Sequence, residues 1–348
     1  MTSKIGYYVS GNTAEGFVNF LSTNTSDFHH HIILKHPSYS LKTAIINEII
    51  NQYEEDHHIE VLYSSIGKEF LEGVIIRDKK VAIVDERIAS ADLPSSFELN
   101  LALFTGMDAS QDFASEHEAI DTFIQNAYRD FEAGLKIHDD LEEVYIKEMD
   151  FAKANQLATE FIASLLKGVS KQEKESKVYH RLFGTNTKDG VVNVVPELLR
   201  PLSKKNYIKG RAGTGKSTFM KKIMSACLAH GFDVELYHCS FDPNSIDMVL
   251  VRELDFCIFD STDPHEFFPH GPGEETIDMY EKAVTPGTDE KYTKVIHDLN
   301  TRYKAYMKKG VVNLQEAGEL LGKLEQQYDL TNLEMEKIKS FIIGKIIE

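Results

Sequence analysis

The apolar positions of the chain fall into short runs separated by helical and polar segments, and this pattern occurs twice. Each half has three apolar runs around one helical segment: 32–34, 59–64 and 81–85 around 43–52, and 207–208, 233–239 and 256–260 around 218–229. A short amphipathic segment separates the second run from the third. Strands that alternate with helices are typical of parallel βαβ units covered on both faces. The pattern therefore predicts an α/β fold with a parallel sheet in each half.

Behind each third run the apolar period becomes helical. The predicted helices span 112–136 and 138–168 in the first half, and roughly 288–309 and 313–347 in the second. Between 120 and 135, apolar residues recur every three or four positions, the spacing of one buried helix face. The polar stretch 167–177 has no apolar period and is the predicted linker.

The two halves also match each other residue by residue. A shift of 174 aligns GNTAEGFVNF with TNTKDGVVNV without a gap and gives ten identities: Asn12/Asn186, Thr13/Thr187, Gly16/Gly190, Val18/Val192, Asn19/Asn193, Lys35/Lys209, Lys42/Lys216, Ile49/Ile223, Leu62/Leu236 and Tyr63/Tyr237. One inserted residue then changes the shift to 175, where Arg77/Arg252 and Asp85/Asp260 are among four further identities. A repeat of this length indicates duplicated domains. We expect them at 1–175 and 176–348, each with its own helical extension.

Composition and charge narrow the class of protein. The 348 residues include 55 acidic and 38 basic side chains, for a net charge of −17, so attraction to a nucleic-acid backbone is not expected. The three cysteines form no CxxC pair, which disfavours a disulfide framework or a zinc site and favours a reducing cytosol. No run approaches 18 apolar residues and the N-terminus lacks a secretion signal. A cytoplasmic protein without a membrane partner is the expectation.

One motif carries specific chemistry. Residues 210–218 read GRAGTGKST and fit the phosphate-binding pattern G-x-x-x-x-G-K-[ST], with an apolar run before it and a helical segment after it. In such a loop, backbone N–H groups at a helix N-terminus point at the β-phosphate, the lysine bridges phosphate oxygens, and the hydroxyl ligates Mg²⁺. The predicted nucleotide-binding residues are Gly210, Arg211, Ala212, Gly213, Thr214, Gly215, Lys216, Ser217 and Thr218.

A carboxylate at the end of a neighbouring strand should complete the Mg²⁺ shell. Asp260 ends the apolar run FCIFD, so Ser217 and Asp260 are the predicted metal ligands, with ATP and Mg²⁺ as cofactors. Polar residues follow in a loop that could orient a water or an acceptor hydroxyl, a pattern typical of active sites. The catalytic candidates are Lys216, Asp260, Asp263 and His265, with Thr262 and Glu266 as weaker ones, and Asp242 and Asp247 could reach an acceptor.

The first half has lost the motif. The aligned segment KHPSYSLKT places His36, Tyr39 and Leu41 at the three glycine positions. Side chains there block the approach of a phosphate, and a proline removes a backbone donor, so tight triphosphate binding is not expected. The first half could instead pack against the active half, or lend a cation from Arg77, Arg87 or Lys42, as an arginine finger does.

The motif segments GRAGTGKSTFMKKI, YHCSFDPNSIDMV and IFDSTDPHEFFP resemble a bacterial family of uncharacterised tandem P-loop ATPases. The resemblance extends over nearly the whole chain and implies nucleotide binding by P-loop domains, with no settled substrate. The first half departs from the family at 36–43, where a glycine-rich loop would stand.

Three functions remain open at this point. The leading hypothesis is a Mg²⁺-dependent NTPase, with ATP favoured because the guanine-selecting N-K-x-D string is absent. A kinase that transfers the γ-phosphoryl group to a small molecule is the second, and a nucleotide-gated binding module is the third. The expected partners are a nucleoside triphosphate, an unidentified small-molecule or protein acceptor, and a second copy of the chain, because many P-loop sites are completed by a neighbour.

Overall fold

The computed structural model describes residues 4–90, 93–105, 113–263, 266–328 and 331–347. Strands and helices alternate along these residues, as the apolar pattern predicts. The strands are β1 (Lys4–Tyr7), β2 (Ser10–Thr13), β3 (Gly16–Asn19), β4 (His30–Lys35), β5 (Ile59–Tyr63), β6 (Leu71–Ile76), β7 (Val81–Asp85), β8 (Ser96–Asn100), β9 (Val178–Leu182), β10 (Gly184–Thr187), β11 (Gly190–Asn193), β12 (Lys204–Lys209), β13 (Val234–His238), β14 (Ile246–Val251), β15 (Phe256–Asp260) and β16 (Glu274–Asp278). The helices are α1 (Leu21–Asn24), α2 (Tyr39–Tyr53), α3 (Ala102–Thr105), α4 (Ala114–Ile146), α5 (Phe151–Leu165), α6 (Val195–Leu199), α7 (Lys216–Ala229), α8 (Met279–Ala283), α9 (Thr288–Lys291), α10 (Thr293–Glu325) and α11 (Asn332–Ile347).

Two six-stranded sheets have the same strand order. The first runs β1-β5-β6-β7-β4-β8 and the second runs β9-β13-β14-β15-β12-β16. Equivalent neighbours also pair in the same direction in both sheets. The chain is therefore mixed α/β, as predicted.

The prediction of a parallel sheet in each half is confirmed only in part, because both sheets are mixed. The short amphipathic segments before the third apolar run are the strands β6 and β14, and both pair antiparallel with both neighbours. Four residues connect each of them to the next strand: a short helical turn, Arg77–Lys79 or Arg252–Leu254, and then Lys80 or Asp255. Such a short connection returns the chain antiparallel, because a parallel pair needs a crossover of about a dozen residues or more.

The pairing also corrects the alignment of the halves. Tyr7 lies opposite Leu62, and Arg181, its equivalent at a shift of 174, lies opposite Tyr237. Leu62 therefore corresponds to Tyr237, so the extra residue precedes β13 instead of following it. The identities Leu62/Leu236 and Tyr63/Tyr237 are not structural equivalents, whereas Glu60 and Glu235 are.

A third sheet joins the halves in the order β11-β10-β2-β3. At its centre Asn12 Nδ2 donates to the Asn186 carbonyl oxygen at 2.8 Å, and Asn186 Nδ2 donates to the Asn12 carbonyl oxygen at 2.9 Å. Tyr8 and Leu182 exchange backbone hydrogen bonds in the same reciprocal way. Contacts between equivalent residues are the mark of a two-fold interface. The halves are thus related by an approximate two-fold axis between these residues.

The helical extensions differ from the prediction in their limits and in their partners. No break occurs near 137 or between 309 and 313, because α4 and α10 run through these positions as two long antiparallel helices. The shorter helices then cross over. Helix α5 of the first half packs on α7 of the second, and α11 of the second half packs on α2 of the first. Each sheet is thus covered in part by a helix from the other half.

Candidate functional site

The glycine-rich loop connects β12 to α7. Gly210, Gly213 and Gly215 have φ values of +154°, +70° and +79°, which side chains other than glycine adopt at an energetic cost. The residue types of the motif therefore fit the backbone of the loop. A Cβ at Gly213 would also overlap the backbone carbonyl of Glu142 on α4, so this glycine is required for packing as well.

The loop presents backbone donors at the start of α7. Helix α7 has no side-chain cap. The N–H groups of Gly213, Gly215, Lys216 and Ser217 donate no hydrogen bond to any of the described residues. Unsatisfied donors at a helix N-terminus, together with the helix dipole, favour an anion.

The predicted lysine and aspartate come together beside these donors. Lys216 Nζ donates to the Arg211 carbonyl oxygen at 2.9 Å and lies 3.5 Å from Asp260 Oδ2. They meet because β12 and β15 are parallel neighbours, so both strands end at the same edge of the sheet. Asp260 Oδ1 accepts a hydrogen bond of 2.6 Å from Thr262 Oγ1.

A second carboxylate belongs to this site. Asp247 on β14 is buried. Its pKa is raised to about 7, mainly by this burial and secondly by the nearby charge of Asp260. Asp247 also interacts with Cys239, whose thiol pKa is raised by burial. The adjacent N–H of Ile246 donates to Ser217 Oγ at 3.0 Å, which ties the start of β14 to the loop helix. The sequence predicted only that Asp247 could reach an acceptor substrate. It did not place Asp247 beside Asp260, because β14 was not recognised as a strand.

Helices α4 and α10 form the outer wall of the site. His138 on α4 packs edge-on against Phe241 and tilted against Tyr303, with ring centroids 5.9 and 5.3 Å apart. Burial is the main cause that lowers the pKa of His138, and its Nδ1 lies 3.9 Å from Glu142 Oε1. The sequence analysis missed His138 and Glu142, because nothing in the repeat indicates that a helix of the first half contacts the loop of the second.

Thr214 is buried in the loop, where its Oγ1 donates to the Arg211 carbonyl oxygen at 2.8 Å, and other predicted residues occupy the rim. Arg211 of the loop pairs with Asp289 at 3.0 Å, and Asp263 pairs with Lys304 at 2.9 Å. Asp242 caps a tight turn by accepting from the N–H of Asn244. Glu266 pairs with Lys209 at 2.8 Å. His265 lies outside the described residues.

The equivalent place in the first half is closed by the chain itself. The carboxylate of Glu325, at the end of α10, accepts hydrogen bonds from Tyr39 N, Ser40 N and Ser38 Oγ at 2.7, 3.1 and 2.8 Å. An internal anion thus satisfies the N-terminus of α2. The segments LEEVY (141–145) and LEQQY (324–328) resemble each other and align Glu142 with Glu325. Among the described residues, Glu325 accepts from backbone N–H groups in this way and Glu142 does not.

The cations of the first half are also engaged. Lys42 Nζ lies 2.8 Å from Asp85 in a buried pair, Arg77 binds Glu60, and Arg87 Nη1 lies 3.2 Å from Glu72. Each therefore holds a carboxylate of its own half.

Comparison of the chain with protein-family models, with curated proteins and with solved structures gives no match. Among the described residues, no three His, Cys, Asp or Glu side chains cluster closely enough to hold a metal ion by themselves. None of the helices in the described ranges has the length and apolar character that crossing a membrane requires.

Proposed function

We propose that the protein is a Mg²⁺-dependent ATP-binding P-loop NTPase with one working site in residues 176–348. The observation that carries this proposal is the loop that ends at α7, with its unpartnered N–H groups beside Lys216 and Asp260. In this proposal residues 1–175 form a degenerate P-loop domain. The proposal includes membership of the tandem P-loop ATPases that the motif segments resemble, and a cytoplasmic location.

The residues of the site fit an Mg-nucleotide. The free N–H groups would donate to the β-phosphate, and Lys216 would exchange its bond to the Arg211 carbonyl oxygen for phosphate oxygens. Ser217 and Asp260 would ligate Mg²⁺, which prefers oxygen ligands and keeps several waters, so a cluster of three protein carboxylates is not needed. When bound, Mg²⁺ neutralises charge on the phosphate oxygens.

A kinase is the second candidate, and Asp247 is the observation that favours it. Its buried carboxylate lies near enough to Asp260 to feel its charge, and a carboxylate within reach of a hydroxyl can take up its proton. In this reading Asp247 accepts the proton of the acceptor while Lys216 holds the transferred phosphoryl group. Removal of the Asp247 carboxylate would then abolish transfer and spare nucleotide binding.

Calorimetry of Mg-ATP binding tests the first proposal. We expect Lys216→Ala to weaken binding at least about tenfold, a loss of about 1.4 kcal/mol, because the lysine supplies a charge to the phosphates. Lys222→Ala is the matched control, since Lys222 lies on the same helix and contacts Asn155 on α5. Wild-type protein that binds no Mg-nucleotide would overturn the proposal.

Separation of the products then distinguishes the functions. Free phosphate without any added acceptor indicates an NTPase. ATP consumption that stays negligible until a pool of cell metabolites is added, with a labelled product, indicates a kinase. Nucleotide binding with slow turnover that Lys216→Ala leaves unchanged indicates a binding module.

A further inference from the structure

A large cavity lies between the two halves, away from the glycine-rich loop. It has a volume of about 770 Å³, within the range of about 300–1,000 Å³ that small-molecule sites occupy. The first half contributes residues of β1, β5 and the turn after β6. The second contributes residues of β9, β13, α6 with the segment after it, and the turn after β14. The cavity therefore exists only where the halves meet.

Two equivalent ion pairs form part of its wall. Arg77 binds Glu60 through Nε and Nη2, both at 2.7 Å, and Arg252 binds Glu235 through the same atoms at 2.7 and 3.1 Å. Each pair is bidentate, so the two arginines balance the two buried carboxylates.

A third arginine disturbs this balance. Arg181 is 2% exposed and stands where the first half has Tyr7, with its guanidinium 3.7 Å from the centre of the Tyr7 ring. Its Nη2 donates to Glu60 at 3.3 Å. Its Nη1 lies 2.9 Å from Glu235 without the alignment of a hydrogen bond, and has no hydrogen-bond partner among the described residues. Arg77, Arg181 and Arg252 thus share two carboxylates and carry one positive charge more than these balance, and an added anion would offset that excess.

Further positive charge lines the same cavity. The side chain of Arg200 forms no ion pair or hydrogen bond with any described residue, and Lys4 pairs only with Glu54 on the rim. Five lysine and arginine side chains thus face three carboxylates, the third being Glu197. This excess stands out in a chain whose net charge is −17.

We propose that this cavity binds a small phosphorylated molecule, held by Arg181, Arg200 and Arg252. Guanidinium groups match the geometry of phosphate oxygens, and several of them converging in one cavity favour a ligand with more than one phosphate charge. The ring of Tyr179, which lines the same cavity, offers an aromatic surface to any organic part of the ligand. The site is separate from the proposed nucleotide site.

Calorimetry with inorganic pyrophosphate tests the proposal. Full-length Lys216→Ala protein in EDTA is used, so that the glycine-rich loop and Mg²⁺ contribute as little as possible. We expect binding that weakens as salt is raised, because part of the attraction is electrostatic. A second titration with ADP distinguishes a nucleotide from a free phosphate compound. Tighter binding of ADP than of pyrophosphate indicates a nucleotide ligand.

Three further substitutions in this background assign the site. Arg200→Ala should weaken pyrophosphate binding about fivefold or more, while Arg129→Ala, an exposed arginine on α4, should leave it unchanged. Glu197→Gln should tighten binding severalfold, because it removes a negative charge from the wall, and a gain of affinity cannot come from misfolding. Absence of pyrophosphate binding, or equal effects of Arg200→Ala and Arg129→Ala, would overturn the proposal.

Discussion

Two lysine–aspartate pairs at equivalent positions meet different surroundings. Lys42 and Asp85 lie 2.8 Å apart with side chains 3% and 0% exposed, whereas Lys216 and Asp260 lie 3.5 Å apart and are 12% and 19% exposed. The buried pair has no access to water, so each charge depends on the other. The second pair keeps access to solvent, so its charges can meet a further partner. The same two residue types therefore serve stability in one half and remain accessible in the other.

The difference predicts opposite outcomes for lysine removal. Lys42→Met should lower the free energy of unfolding by about 3–5 kcal/mol, because it leaves the Asp85 charge buried and unpaired. Lys216→Met should cost about 1 kcal/mol or less, as for a partly exposed pair. Urea unfolding at neutral pH measures both.

A double variant separates the buried charge from lost packing. Asp85 also accepts a hydrogen bond from the N–H of Arg87, and an amide oxygen preserves that bond. Lys42→Met combined with Asp85→Asn should therefore recover much of the lost stability. If the double variant were as unstable as Lys42→Met alone, the buried charge would not be the cause.

At the scale of elements, the glycine-rich loop forms a turn and also packs against α4. The backbone of α4 at Glu142 touches Gly213, whereas a Cβ at Gly215 would lie 3.5 Å from Met149, an ordinary contact. Both glycines have positive φ, so alanine brings backbone strain of about 1–3 kcal/mol at either position. Only Gly213→Ala also displaces α4.

Gly213→Ala should therefore lower the free energy of unfolding by about 1–3 kcal/mol more than Gly215→Ala, in the range typical of overpacking. Thermal unfolding of both variants without nucleotide gives the comparison. Because a Cβ at Gly213 would meet the backbone of α4, hydrogen exchange along α4 should rise in Gly213→Ala and not in Gly215→Ala. Equal losses of stability would mean that the loop, and not its contact with α4, limits the choice of residue.

The sequence predicts some elements of this fold and not others, for physical reasons. The turn at 210–218 and the strand end at Asp260 were predictable, because local residue types determine a glycine-rich turn before a helix and a buried strand. The strands β6 and β14 were not recognised, because a short amphipathic run fits either a strand or a helix. The hydrogen bonds between Glu325 and the start of α2 could not be predicted, since they depend on how two distant elements pack.

At the scale of the whole molecule, the halves exchange helices across an approximate two-fold axis. Ile338 and Ile342 of α11 are fully buried in the core of the first half, against residues of α2. Phe161 of α5 packs against Phe219 of α7 in the second half, with ring centroids 5.6 Å apart. Neither half therefore completes its own core, and separating them would expose apolar surface on both.

The exchange predicts that core substitutions loosen the half in which the helix packs, and not the half that encodes it. Ile342→Ala should lower stability by about 2–5 kcal/mol and raise hydrogen exchange first in α2, because it opens a cavity against that helix. Phe161→Ala is the matched variant and should raise exchange first in α7. Mass spectrometry of deuterated peptides from both variants resolves the two helices. If Ile342→Ala raised hydrogen exchange in α7 and left α2 protected, α11 would stabilise its own half. The proposed packing of each helix on the other half would then be wrong.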